Sequence, residues 1–104
     1  MLLHLGADVV IEEGEVVGIF DLDNSSTSKR TRAFLADAQR KGEVINVSIG
    51  ELPKSFVVCT VETTRGRGQR VYISPIASST LRRRALAPFS AFRRTALRWR
   101  RTGP

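Results

Sequence analysis

The sequence predicts an α+β fold with a small antiparallel sheet, one main helix and a short C-terminal helix. Short apolar, β-branched runs alternate with turns, one stretch near the middle has helix-capping signals around an apolar face, and a second capping signal precedes "LRRRAL". The chain has 104 residues, which suits one domain with one hydrophobic core.

The first twenty residues predict three short strands at residues 2–5, 9–11 and 16–20, with a glycine-containing turn at residues 12–14. Because the connections between them are short, we expect an antiparallel meander.

The main helix is expected at about residues 28–41. Hydroxyl and amide side chains at residues 24–28 supply N-cap candidates, while Arg40 and Lys41 give a cationic last turn before Gly42. The apolar face of this helix is predicted to contain Ala33, Phe34, Leu35 and Ala38.

The second half predicts a strand at residues 44–50 and a central, nearly continuously apolar strand at residues 55–64, in which Cys59 is a core residue. "RGRGQ" is interpreted as a turn whose two glycines allow positive φ. The next strand, residues 70–76, is ended by Pro75, and a short helix follows.

Charge divides the chain into two parts. Residues 1–81 have a net charge of −1, whereas residues 82–104 carry eight arginines and no acid. We therefore predict a domain at residues 1–87 followed by an arginine-rich extension at residues 88–104. This asymmetry favours a polyanionic partner, either nucleic acid or a membrane surface.

The sequence offers little for catalysis. His4 is the single histidine and is expected to be structural or exposed, and Glu12, Glu13 and Glu15 are interpreted as a solvated turn. "RGRG" lacks the lysine and hydroxyl residue of a phosphate-binding P-loop. We expect no enzyme activity, no metal site and no cofactor. The absence of a basic leader and of a long apolar run predicts a cytoplasmic protein.

Two arginine clusters are the strongest functional signal. Both flank the last predicted strand, and arginine's planar fork suits phosphate and guanine edges. The first cluster is Arg65, Arg67 and Arg70, and the second is Arg82, Arg83 and Arg84.

The order of "HLG", "VGIFD", "PKS" and "YISPIASSTL" resembles the Rem family of bacterial extracellular-matrix regulators, and RemB-type members most, over about residues 1–86. The resemblance implies a small α+β DNA-binding protein. It also implies properties of the RemA branch: ring-shaped homo-oligomers, activation of biofilm-matrix and osmolyte-related genes, and DNA held against an arginine-bearing loop.

One part of the family pattern differs here. RemA-type proteins have a basic run after the glycine that matches Gly50, whereas this chain has Glu51, Leu52, Pro53 and Lys54, so that only Lys54 keeps a positive charge. The resemblance therefore shifts the expected DNA contacts to the arginines of the "TTRGRGQ" hairpin.

The leading hypothesis is a RemB-like, non-enzymatic transcription regulator that binds the DNA phosphate backbone as a homo-oligomer, in a ring if the family pattern holds. Its expected contacts are Lys54 and the two arginine clusters. The alternative is a membrane-surface or scaffold module in which Phe89, Phe92 and Trp99 of the extension insert at an interface while its arginines meet anionic lipid.

Overall fold

The computed structural model describes residues 1–22 and 28–86. The strands in these ranges are β1 (Leu2–Gly6), β2 (Val9–Glu12), β3 (Val16–Asp21), β4 (Val44–Asn46), β5 (Ser55–Thr63) and β6 (Gly66–Ser74). The helices are α1 (Lys29–Arg40) and α2 (Ser78–Leu86), and a 3-10 turn covers Glu13–Glu15. The predicted α+β class, with one main helix and a short C-terminal helix, is confirmed.

The strands form two sheets. β1 and β2 make an antiparallel pair, and the other four strands form a sheet in the order β3-β5-β6-β4. All pairs in the larger sheet are antiparallel except β4 with β6, which is parallel. β5 is an interior strand, as the sequence predicted.

The predicted meander is wrong, because β3 does not pair with β2. The 3-10 turn separates the two strands, and β3 pairs with β5 instead, from Val16 opposite Cys59 to Asp21 opposite Ser55. The β1–β2 pair contributes Leu3, Leu5 and Ile11 to a core cluster that also contains β5 residues. These strands therefore bury their apolar side chains by packing onto the larger sheet rather than by extending it.

The two faces of the larger sheet have separate cores. On the face covered by β1–β2 and α2, buried β5 and β6 residues pack with Leu81 of α2, which is fully buried. This cluster includes Cys59, whose burial is confirmed at 1% exposure. On the opposite face, α1 packs Ala38, Phe34 and Leu35 against the sheet. Alternate residues of β5 thus serve opposite cores.

The helix α1 begins and ends close to the predicted positions. Ser28 is its N-cap, and the Ser28 hydroxyl oxygen accepts hydrogen bonds from the backbone N–H groups of Arg30 (3.2 Å) and Thr31 (3.4 Å). Ala33, predicted on the apolar face, is exposed. The apolar side of the helix that meets the sheet is centred on Phe34 and Ala38, one turn apart, and Ala33 lies at its margin.

The β5–β6 connection is tighter than the sequence predicted. Strand pairing continues to Thr63 opposite Gly66, so the turn contains only Thr64 and Arg65, and the rest of "RGRGQ" belongs to β6. The Thr63 hydroxyl closes this turn: it accepts a hydrogen bond from the backbone N–H of Arg65 (3.1 Å) and donates one to the Gly66 carbonyl (2.7 Å). Gly66 takes φ of +108°, whereas Gly68, also predicted to use positive φ, does not.

The end of β6 matches the prediction, since the strand stops at Ser74, directly before Pro75. The Ser74 hydroxyl donates to the Leu5 carbonyl at 2.6 Å, which ties β1 to the larger sheet. The predicted boundary at residue 87 and the extension at residues 88–104 lie outside the described residues.

Candidate nucleic-acid interface

The β5–β6 hairpin extends beyond the rest of the larger sheet. The pairing of β3 with β5 stops at Cys59, and the pairing of β4 with β6 begins at Val71. Residues 60–69 therefore have no further strand partner among the described residues, and four paired positions project about 13 Å. The base of this ribbon is held by the buried Val61 and by a hydrogen bond from the Gln69 amide to the Glu43 carboxylate (3.0 Å). Residues 62–67, the hairpin tip, are all exposed.

The tip presents two arginines in different ways. Arg65 lies in the two-residue turn itself. Arg67 is opposite Glu62 across the hairpin, and its Nε lies 3.7 Å from the Glu62 carboxylate, with both side chains more than 70% exposed. Such an exposed ion pair is weak, so Arg67 remains available to a stronger anion.

Arg70 lies in a different environment. Because it is three residues from Arg67 on a regularly paired strand, it lies on the opposite face of the hairpin, beside its cross-strand partner Cys59. Arg70 is half-buried. Burial raises the pKa of the Cys59 thiol to about 11, with Glu15 adding to the increase and Arg70 opposing it. Arg70 therefore lies at the base of the hairpin, close enough to affect a buried group.

The arginines of α2 dock this helix onto the sheets. The Arg82 guanidinium donates to the Ile19 carbonyl of β3 at 2.6 Å, and that of Arg84 donates to the His4 carbonyl of β1 at 3.2 Å. Arg83, between them, is exposed, and its side chain makes no ion pair or hydrogen bond within the described part of the chain. Two of these three arginines thus attach α2 to both sheets while keeping exposed side chains.

The sequence-predicted residues do not gather into one patch. Ile19, the partner of Arg82, is paired with Val57, six residues before Thr63, which places this contact about 20 Å along β5 from the hairpin turn. Lys54 immediately precedes β5, at the opposite end of the strand from the tip, and its side chain is exposed. The candidates therefore occupy three regions, and only the hairpin tip projects away from the body.

The two cationic residues at the C-terminal end of α1 pair with a carboxylate of the same helix. At the end of α1, Asp37 pairs with Arg40 and with Lys41, whose Nζ is 3.1 Å from the carboxylate. The hydrogen bond from Lys41, aided by the charge of both cations, holds the pKa of Asp37 below its usual value. One carboxylate thus offsets one of the two cations at this end of α1.

The groups considered for catalysis are dispersed. His4 is exposed, and its Nε2 lies 2.8 Å from the Ala7 carbonyl in the β1–β2 turn. Glu13, predicted in a solvated turn, is instead buried at 5% exposure. In residues 1–22 and 28–86, no three His, Cys, Asp or Glu side chains come together as a metal site. In the same ranges, neither helix has the length and apolar character needed to cross a bilayer.

Comparison with known proteins places this fold in a family. The family model RemA-like, described as extracellular matrix regulatory protein A-like, matches residues 2–85. The chain belongs to the RemA-like family. This RemA-like chain is also 36% identical over 85 residues to extracellular matrix regulatory protein B of Bacillus subtilis (strain 168), which covers 82% of this chain and 90% of that protein. The resemblance drawn from the sequence motifs is thus confirmed.

Two features of the RemA-like hairpin were missed from the sequence. One is the pairing of Glu62 with Arg67, and the other is the brace between Gln69 and Glu43. The first had a usable signal, because Glu62 and Arg67 are equally distant from a two-residue turn at Thr64 and Arg65. The second joins residues 26 positions apart, and local sequence patterns carry no signal for such a contact.

Proposed function

We propose that this RemA-like chain is a non-enzymatic, DNA-binding regulator of extracellular-matrix genes that acts in the cytoplasm as a homo-oligomer. The name of its Bacillus subtilis relative, extracellular matrix regulatory protein B, supports the regulatory part of the proposal. DNA is the partner that best accounts for the shape and charge of the β5–β6 hairpin.

The observation that carries this proposal is the projecting hairpin tip with Arg65 and Arg67. A two-stranded ribbon fits into the major groove of B-DNA, which is about 12 Å wide and about 8.5 Å deep. The ribbon here extends about 13 Å beyond the flanking strands. Because Val61 near its base is buried in a core cluster, the part of the ribbon that can enter a groove is the exposed tip, residues 62–67.

Arginine placement favours phosphate contacts over base contacts. Arg65 and Arg67 lie on the projecting part of the ribbon, whereas Arg70 lies on the opposite face from Arg67 at the half-buried base, where it can meet a phosphate at the edge of the groove. The glycines Gly66 and Gly68 leave the ribbon thin between the arginines. We expect modest sequence preference, with DNA shape contributing to the choice of site.

Self-association strengthens DNA binding when each copy makes only a few phosphate contacts. One hairpin supplies few cations, whereas an oligomer repeats them along one duplex and gains avidity without a larger surface on each copy. Arg83 and Lys54, both exposed, add supplementary phosphate contacts in this proposal. The residues of the extension, including those behind the membrane-surface alternative, lie outside the described part of the chain.

The test is a fluorescence-anisotropy titration of the full chain with duplex DNA at a series of salt concentrations, together with the mass of the protein in solution. We expect an oligomer whose affinity falls steeply with salt, because phosphate contacts release condensed counterions. Failure to bind duplex DNA at low salt would overturn the DNA-binding part, and a monomer at every concentration would overturn the oligomer part.

A further inference from the structure

The loop between β4 and β5 holds two aliphatic side chains out in solvent. We call residues 48–53 the apolar loop. Ile49 is 82% exposed and Leu52 is 73% exposed, the two highest values among the exposed large hydrophobic residues described. Glu51 lies between them, is exposed, and has no hydrogen bond or ion pair from its carboxylate within the described residues.

Hydrogen bonds fix the shape of the apolar loop. The Asn46 side-chain oxygen accepts from the backbone N–H of Ser48 (2.8 Å) and from the Ser48 hydroxyl (2.7 Å). The Glu51 N–H donates to the Ser48 carbonyl at 2.9 Å, across a turn in which Gly50 takes φ of +82°. At the far end, the Lys54 N–H donates to the Ser74 carbonyl at 2.8 Å. The loop thus presents its aliphatic side chains in a preorganised arrangement, which lowers the entropy lost on binding.

A second apolar surface lies between β3 and α1. This α1 groove is a cavity of about 290 Å³. It is lined by Val17, Phe20, Phe34 and Phe56, with Phe20 stacked on Phe56 at a ring-centroid distance of 5.0 Å. Val17 is 65% exposed and Phe20 is 42% exposed, so part of the lining faces solvent.

The charge beside the α1 groove is positive. Arg30, an exposed residue of the first turn of α1, also lines the cavity. That turn contains no acidic residue, and the helix dipole adds positive potential at the same end. The groove therefore suits an apolar group that has a carboxylate next to it.

We propose that the apolar loop of one copy of this chain docks into the α1 groove of a second copy, with Glu51 facing Arg30. This inference rests on the self-association part of the proposed function and names the two surfaces that meet. The loop supplies aliphatic side chains and an unpaired carboxylate, and the groove supplies an apolar cavity and a guanidinium. Ile49 and Leu52 are exposed, so neither fills the groove of its own chain.

Two other segments of the chain fit the groove less well. Leu2 and Val10 are also exposed and lie near Glu12, but the Glu12 carboxylate already pairs with the N-terminal amine at 3.1 Å. Residues 88–104 carry five arginines and no acid, so Arg30 repels them. Glu51 in the apolar loop has neither disadvantage.

The two surfaces are different, so the contact is heterologous. Each copy that accepts a loop in its groove still has its own loop to offer, so assembly continues from head to tail and forms a ring when the rotation between neighbouring copies closes. In such a ring every copy presents its β5–β6 hairpin in the same orientation.

The test uses reversed charges in the full-length chain, with mass measured by analytical ultracentrifugation over a range of concentrations. We expect Arg30→Glu and Glu51→Arg each to weaken self-association about tenfold or more, because each places like charges together. An equimolar mixture of the two variants restores self-association, since contacts between the two variants join opposite charges in both directions. Leu52→Ser, at an exposed position, weakens association without a charge change. Asp8→Arg reverses a charge at an exposed turn residue outside both surfaces, and it is the control that leaves the mass unchanged.

The possible outcomes distinguish a wrong interface from a protein that does not self-associate. If both charge variants keep the wild-type mass, or if their mixture associates no better than either one alone, this interface is wrong while self-association stands. If the wild-type chain is a monomer at every concentration, self-association and this interface fail together, whereas DNA binding is judged separately by anisotropy.

Discussion

The hairpin tip and helix α2 carry the same kind of side chain in different circumstances. Arg65 and Arg67 extend from a thin ribbon, and within residues 1–22 and 28–86 their side chains make one loose, exposed contact, between Arg67 and Glu62 at 3.7 Å. Arg82 and Arg84 instead donate to backbone carbonyls of β3 and β1. One pair is available to a partner molecule, while the other pair holds a helix on its own protein.

This difference shows that arginine count is a poor guide to an anion-binding surface. A guanidinium has five N–H donors and serves as well to satisfy carbonyls at the edge of a strand as to bind phosphate. The two pairs differ in the chain around them. Arg65 and Arg67 lie on a ribbon that has no neighbouring strand among the described residues, whereas Arg82 and Arg84 lie on a helix with a fully buried Leu81.

The largest effect we expect comes from the double substitution Arg65→Ala/Arg67→Ala. It should lower DNA affinity by about tenfold or more and reduce the slope of log affinity against log salt by about two, because two phosphate contacts are lost. Anisotropy titrations across the salt series measure both quantities. Thermal unfolding should stay unchanged, since both side chains are exposed.

The matched double substitution Arg82→Ala/Arg84→Ala should instead lower the stability of the protein and leave the salt slope of DNA binding largely unchanged. It removes the same charge, but it also removes two hydrogen bonds that attach α2 to the sheets, which should cost about 2 kcal/mol of stability. For a domain of this size the midpoint of thermal unfolding then falls by about 10 °C. The comparison between the two pairs fails if this variant keeps its stability and loses the salt slope instead.

Sequence patterns predicted the positions of the helices and strands better than they predicted which strands pair with each other. Helix α1 was predicted because its signals are local: the Ser28 cap, the apolar face and the glycine after Lys41. β5 was predicted as interior because it is apolar on both faces. The partner of β3 was wrong because strand pairing depends on how β1–β2 packs on the sheet, and short-range patterns do not contain that information.

The sequence indicated which arginines are candidates for the site, but not how the fold arranges them. Both arginine clusters were visible in the sequence, yet the tight turn at Thr64 and Arg65 depends on a hydroxyl that bridges both sides of it. The docking of Arg82 on Ile19 joins residues 63 positions apart. Tertiary contacts of this kind decide which arginines are free, and they appear only when the chain is folded.

The smallest effect concerns the exposed carboxylate within the hairpin tip. Glu62→Gln should raise DNA affinity by about two- to fourfold, because it removes both a competitor for Arg67 and a negative charge facing phosphate. Anisotropy at one fixed salt concentration is sufficient to detect it. Glu12→Gln, which removes the same charge from the β1–β2 pair, is the control for overall charge. An equal gain in both variants would show that net charge, rather than the geometry of the tip, governs binding, and the distinction between the hairpin and α2 would lose its basis.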